Sequence, residues 1–376
     1  MQKKNGSYLF SASDIVSFLE CEHSTTLGLQ NLETPLERAP EDPQLKLIQD
    51  KGLAHEKAYF EKLTQGRTWV DVNAQGDSVE ARVAATRKAM HEGVGVIFQA
   101  AFRHDQYLGY ADFLVKVDSP SQLGAYSYEV QDTKLARSAR GKFIIQLCFY
   151  SWLLSREQGT MPQSMQVVLG SGHVATFRVA DYFMYFRDVL ARFERRIAEG
   201  DAVNTYPDPC EKCSQCEWIN LCDSRRSDDD HLSYVANISK AQIKKLSESG
   251  VTTLAELAVM PAQASIPKLA SKTLERLRAQ AALQLKARSE GGMHLELLPK
   301  VDQGLRGFER LPTPSPGDMY FDMEGDPLEE GGLEYLFGLY IVDDGVEKFV
   351  PFWAHTRAVR FPRQTGHPFH GKLDTD

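Results

Sequence analysis

Long apolar runs are missing from this sequence: none approaches the roughly 20 residues that a membrane-crossing helix needs. No secretory signal is visible either, since Met1 to Tyr8 is polar and charged, so a cytoplasmic location and no membrane partner are expected. A Gly-x-x-x-x-Gly-Lys-Ser/Thr sequence is also absent. Its nearest approach, Gly366 to Lys372, runs into Leu373, which argues against an ATP-driven motor within this chain. Repeats and low-complexity tracts are lacking, which leaves ordinary globular units. With 376 residues, 42% hydrophobic and 25% charged, there is material for two or three of them. The formal charge of -8 speaks weakly against nucleic acid, but its distribution is uneven. Between His231 and Glu290 there are six Lys and three Arg against four Glu and no Asp, a segment that favours phosphate.

What is present centres on Asp132-Thr133-Lys134. In a strand successive side chains alternate faces, so Asp132 and Lys134 leave one side together. Asp112, in Leu108-Gly109-Tyr110-Ala111-Asp112-Phe113 near the end of another apolar stretch, is placed to complete a hard-oxygen site for Mg2+ or Mn2+. Phosphodiester hydrolysis needs such an ion to polarise a phosphoryl oxygen and acidify water, with Lys134 orienting the water and offsetting charge on the phosphate. The apolar run Phe143 to Leu154 implies a helix that carries Gln146 and Tyr150 on one face. Upstream, Gly52-Leu53-Ala54-His55-Glu56 lies in a helical stretch and offers His55 as a further ligand. Glu129 has an odd separation from Asp132 and belongs to the opposite face, in a structural role.

The ordered set His55, Asp112, Asp132-x-Lys134, Gln146-x-x-x-Tyr150 resembles the RecB-like branch of the PD-(D/E)XK nucleases, over residues 8 to 225. That branch includes nuclease domains of bacterial recombination helicases and CRISPR-associated exonucleases. The resemblance implies an α/β fold, a mixed-sheet restriction-endonuclease-like core with flanking helices. It also implies a Mg2+ or Mn2+-dependent nuclease acting exonucleolytically on single-stranded or unwound DNA in repair or recombination, with a helicase as a partner. Two alternatives stay open: a non-catalytic DNA-binding scaffold subunit and an RNA-processing nuclease.

Cys148 lies in the apolar helix as a small core residue. The other cysteines form Cys210-x-x-Cys213-x-x-Cys216-x5-Cys222, with Cys21 far upstream. In a reducing compartment such a cluster is read as metal ligands, and four local cysteines suit zinc. The nuclease subfamily with an iron-sulfur staple has one cysteine before the core and a C-x2-C-x5-C triplet after it. That resemblance assigns Cys21, Cys213, Cys216 and Cys222 to a [4Fe-4S] cluster, leaves Cys210 outside the pattern and keeps Zn2+ as the alternative.

Three segments follow the nuclease, which is placed at residues 1–228. Residues 229–292 read as a small helical module: a helix capped by Ser239, a break at Ser249-Gly250 and a restart at Thr253, with a second helical unit from Lys268 to Arg288. It resembles a helix-hairpin-helix element, which implies DNA contacts through Lys244, Lys245 and the Gly250 backbone. Residues 293–317, with Leu311 to Gly317 rich in Pro, read as a linker. Residues 318–376 open with a strand that carries Asp322 and Glu324 on one face, with further strands at about Tyr335 to Val342 and Glu347 to Trp353. This resembles the start of an RNase H-like exonuclease domain, β-rich and truncated, with an incomplete second metal site. An interrupted reading frame near Thr356 is expected to explain the unpatterned tail. Arg195-Arg196 and Arg225-Arg226 read as solvated surface pairs, and Tyr182 to Phe186 as helix packed into the core.

Overall fold

A computed structural model describes residues 1–4, 6–200, 204–297, 304–305, 307–326 and 333–354. The chain divides into two compact units, Met1–Leu298 and Pro299–Asp376. No helix among the described residues is long and apolar enough to cross a membrane.

The first unit begins with the short strands β1 (Gln2–Lys4) and β2 (Ser7–Leu9), then α1 (Ala12–Glu20), α2 (Glu22–Glu33) and α3 (Pro43–Leu63). There follow β3 (Trp69–Asp71), α4 (Val79–His91), β4 (Val96–His104), β5 (Tyr107–Val117), β6 (Ser127–Lys134), α5 (Gly141–Gln158), β7 (Ser164–Leu169), β8 (Val174–Arg178) and α6 (Val179–Glu199). The six strands β3 to β8 form one mixed sheet in sequence order. Pairing is antiparallel except β3 with β4 and β6 with β7, the two places where a helix crosses between neighbouring strands.

Both faces of this sheet are covered. Leu147 to Leu154 in α5 are all buried, as an apolar-all-round helix must be, and they share the main core with Phe18 of α1 and Phe186 and Phe193 of α6. On the other face, Tyr59, Phe60 and Leu63 of α3 pack on Val96, Phe113 and Val115. Buried Gln158 locks the end of α5 to β6: its Oε1 accepts from the Tyr128 amide at 2.9 Å and its Nε2 donates to the Tyr128 carbonyl at 3.2 Å. The helix expected over Phe143 to Leu154 is thus seen, with two residues added N-terminally, a turn added C-terminally and Gly159 beyond it in the left-handed region at φ 70°. Val167 to Leu169 lie in β7, an interior strand beside the edge strand β8.

Beyond α6 come a 3-10 turn at Glu211–Gln215, α7 (Ile219–Asp228), α8 (Lys240–Glu248), α9 (Leu254–Ala258) and α10 (Ser271–Glu290). The last three gather around their own small core of Leu232, Leu246, Leu254, Leu257, Leu274 and Leu277. Ser239 and Thr253 start α8 and α9 with capping boxes completed by Gln242 and Glu256.

In two places the surface reading of arginine pairs is corrected. Arg196 is 2% exposed and donates to the Gly200 carbonyl and Thr26 hydroxyl, and Arg226 is 5% exposed and donates to the Pro207 carbonyl. Each satisfies polar groups that helix and loop ends would otherwise leave buried and unpaired. The Tyr182 to Phe186 stretch is likewise only part core: Phe186 is buried, while Met184 and Tyr185 are exposed.

In the second unit, β9 (Met319–Asp326), β10 (Leu333–Asp343) and β11 (Val346–Trp353) form an antiparallel sheet in the order β11-β10-β9. The strands fall close to where the sequence put them. The residues 293–317 expected as linker contain a 3-10 turn at Gly307–Arg310 among those described. The tail expectation after Thr356 lies outside the described residues.

Candidate functional site

β5 and β6 pair from Val117↔Ser127 to Phe113↔Gln131 and then part, β5 continuing along β4 and β6 along β7. Asp112 and Asp132 are the next residues beyond the last pair, so two carboxylates flank the point where the sheet opens. Asp112 sits in the middle of β5 rather than near a strand end. Its Oδ2 accepts from the Thr133 amide at 2.9 Å and the Thr133 hydroxyl at 3.0 Å, replacing ladder bonds lost at the split. Lys134 forms an ion pair with Asp132 Oδ2. From α5, Gln146 Nε2 lies 3.5 Å from Asp132 Oδ1 and donates to the Tyr150 hydroxyl at 3.1 Å. Asp112, Asp132, Lys134, Gln146 and Tyr150 are therefore brought together.

His55 does not join them. Its Nε2 lies 3.4 Å from the Val168 carbonyl, and the α3 residue that faces the carboxylates is its neighbour Glu56. The charges of Asp112 and Lys134 both act on Glu56, and Gln99 of β4 hydrogen bonds to its Oε1. The helical phase accounts for the difference: Glu56 shares a stripe with Tyr59, Phe60 and Leu63, which pack on the sheet. Tyr59 in turn donates to Gln131 Oε1 at 2.7 Å and fixes α3 against β6. Glu129 lies apart, accepting from the Ser164 amide and hydroxyl.

The electrostatics follow from crowding in a dry place. Burial comes first in pushing Glu56 up to about 7, with Asp112 adding to it and Gln99 and Lys134 opposing. Asp132 is also pushed up, by burial and then by Asp112, against the pull of Lys134. Burial works against the Lys134 ammonium, yet Asp132, Asp112 and Glu56 outweigh it and its pKa rises. Burial likewise raises the Tyr150 hydroxyl. Asp132 Oδ2 touches the Lys134 ammonium but receives no well-directed hydrogen bond. Ionised, three carboxylates against one ammonium leave two negative charges to be met. A hard divalent cation fits that donor set.

The second centre is made of sulfur. Cys21 sits at the junction of α1 and α2, Cys210, Cys213 and Cys216 lie on and around the 3-10 turn, and Cys222 is buried in α7. All five thiols line one cavity together with Lys212, Trp218 and Arg226. Cys21 and Cys213 act electrostatically on Cys210, Cys216 and Cys222 alike, and Cys216 acts on Cys222 as well. The Cys210 sulfur is 3.8 Å from that of Cys213. Burial pushes the Cys222 thiol up to about 11 and raises Cys210 and Cys216 too, so ligand binding here displaces protons. Soft donors with Lys212 and Arg226 alongside fit an iron-sulfur cluster or zinc.

Among the described residues no three His, Cys, Asp or Glu side chains already stand as a metal-holding group. At the first centre Lys134 holds Asp132 Oδ2 and Thr133 holds Asp112 Oδ2.

The residues expected to contact nucleic acid have partners within the protein. The Gly250 amide donates to the Ser247 carbonyl at 3.0 Å, and Lys245 donates to the Lys268 carbonyl at 2.7 Å. Lys244 is exposed and sits 3.8 Å from Glu248. The amides of Thr252 and Thr253 are taken by Glu256, and those of Leu254 and Ala255 by Asp230. The Glu256 carboxylate and the carbonyl and carboxylate of Asp230 thus take the amides at the start of α9. In the second unit, β9 sets Asp322 and Glu324 on one exposed face, opposite Gly338 and Leu336 of β10.

Glu56 and Gln99 were missed from sequence; the stripe of Glu56 with Tyr59, Phe60 and Leu63 was the available signal for the first, and a backbone kink gives none for the second. No family model matches this chain, and no curated protein is similar enough to count as a relative.

Proposed function

We propose that this chain is a divalent-metal-dependent phosphodiester hydrolase of the RecB-like PD-(D/E)XK type, acting on DNA, with a cysteine-bound [4Fe-4S] cluster as a structural staple. The observation that carries the proposal is the meeting of Glu56, Asp112, Asp132 and Lys134 where β5 and β6 part. Glu56, Asp112 and Asp132 would hold Mg2+ or Mn2+, which supplies polarisation of the phosphoryl oxygen and an acidified water. Lys134 Nζ, released from Asp132, offsets the charge that grows on the phosphate. The Gln146 amide and the Tyr150 hydroxyl, already hydrogen bonded to each other, orient the strand or the attacking water beside Asp132. Cys21, Cys213, Cys216 and Cys222 would hold the cluster, whose contribution is to tie α1 and α2 to α7.

Incubating the anaerobically purified chain with end-labelled single-stranded DNA tests this. Cleavage in Mn2+, stopped by chelator and weaker on RNA of the same sequence, is the expected result. Preference for the RNA would make the enzyme an RNA-processing nuclease. Tight DNA binding with no cleavage in either metal would make the chain a scaffold.

A further inference from the structure

We infer that Gln99 is a positioning residue: a left-handed kink in β4 aims its amide at Glu56 and fixes that carboxylate beside Asp112. This rests on the proposed metal-holding role of Glu56 and Asp112. Three observations meet here. The ladder between β4 and β5 runs in one register on both sides, Phe98↔Phe113 and Ala100↔Ala111, so Gln99 stands opposite Asp112, and that pair is left out of the ladder. Gln99 has φ 54°, a conformation that side chains other than glycine adopt at a cost, in the middle of a strand where neighbours are extended. The side chain so displaced donates from Nε2 to Glu56 Oε1.

The residue type matters as much as the kink. A lysine there would neutralise the carboxylate and compete with a cation, and a glutamate would repel it. A neutral amide occupies one oxygen and leaves the charge and Oε2 for the ion, the relation a supporting hydrogen bond has to a ligating carboxylate. If the kink served only the strand, glycine would serve better, because it carries no penalty at positive φ.

The test is Mn2+ affinity of the full chain, read from the free-ion electron paramagnetic resonance signal, alongside thermal unfolding. Gln99→Gly is expected to weaken Mn2+ binding by about tenfold or more while leaving the unfolding temperature unchanged or higher. Gln99→Asn tolerates the left-handed backbone but is one methylene too short, and the same loss is expected. Wild-type affinity retained in both variants overturns the role of Gln99 alone. Wild type binding no more Mn2+ than Asp112→Ala overturns the metal-holding site and this inference together.

Discussion

At the scale of single residues, the raised carboxyls of Glu56 and Asp132 give the protein a pH dependence. Both carboxyls are pushed up on folding, Glu56 from 4.5 to about 7. Each therefore takes up a proton when the chain folds between those values, so stability is greatest below the unfolded pKa and is lost as pH rises through the folded one. Thermal unfolding in chelator should show a lower midpoint at pH 8 than at pH 5.5 from this source, and Mn2+ should remove the difference. A midpoint unaffected by Mn2+ at pH 8 would contradict the assignment. The neighbours on α3 separate cleanly: Glu56→Gln should slow Mn2+-dependent cleavage of labelled DNA by about 100-fold, whereas His55→Ala should retain most of it. Asp132-x-Lys134 was legible in the sequence because strand alternation puts i and i+2 on one face. Glu56 was legible in principle but lost to its neighbour, since histidine is the commoner ligand. Gln99 was not legible, because the φ of one strand residue is decided by what it must reach.

At the scale of elements, α5, α8 and α9 were readable from apolar runs and the Ser239 cap, and the helix starts at Ser239 and Thr253 lie where the sequence put them. Replacing Thr253 by Ala should cost about 1 kcal/mol in denaturant unfolding. What the α9 N-terminus faces was not readable. Both amides of its first turn go to Asp230, that of Leu254 to the main-chain carbonyl and that of Ala255 to the carboxylate 25 residues away, and Asp230 is itself held with φ 46° and bound by Arg288. The double substitution of Lys244 and Lys245 by Ala should accordingly change DNA affinity, measured by fluorescence anisotropy, by less than about threefold, in keeping with side chains already engaged within the protein. A much larger loss would restore the helical module as a phosphate contact. The buried arginines belong to the same lesson. Arg196 and Arg226 look like ordinary charge pairs until the carbonyls of Gly200 and Pro207 are brought to them by the fold.

At the scale of the whole molecule, the first unit joins distant stretches of chain through the sulfur centre and a polar seam. Lys212 donates to Ser17 and Ser24, Thr205 meets His23 and Thr26, and the Ala39 amide donates to the Glu217 carbonyl. Cys222→Ser should remove iron and its absorption, lower the unfolding temperature by roughly 10 °C and open the segment after residue 204 to protease. Cys210→Ser should leave the iron content unchanged. The cysteine cluster was legible from spacing and the choice among its members came from the resemblance; that Cys21 joins the later four at one cavity needed the fold. In the second unit the three strands were legible from alternation, and β9 presents Met319, Tyr320 and Phe321 to solvent, each more than half exposed.

The gathering of Glu56, Asp112, Asp132 and Lys134 has one most direct test: cleavage of end-labelled single-stranded DNA in Mn2+ by wild type beside Asp132→Ala, with iron content and unfolding temperature measured on the same samples. Cleavage by wild type, its loss in the variant and iron content kept in both are the predicted results. Equal cleavage by the two proteins would contradict the account at its centre.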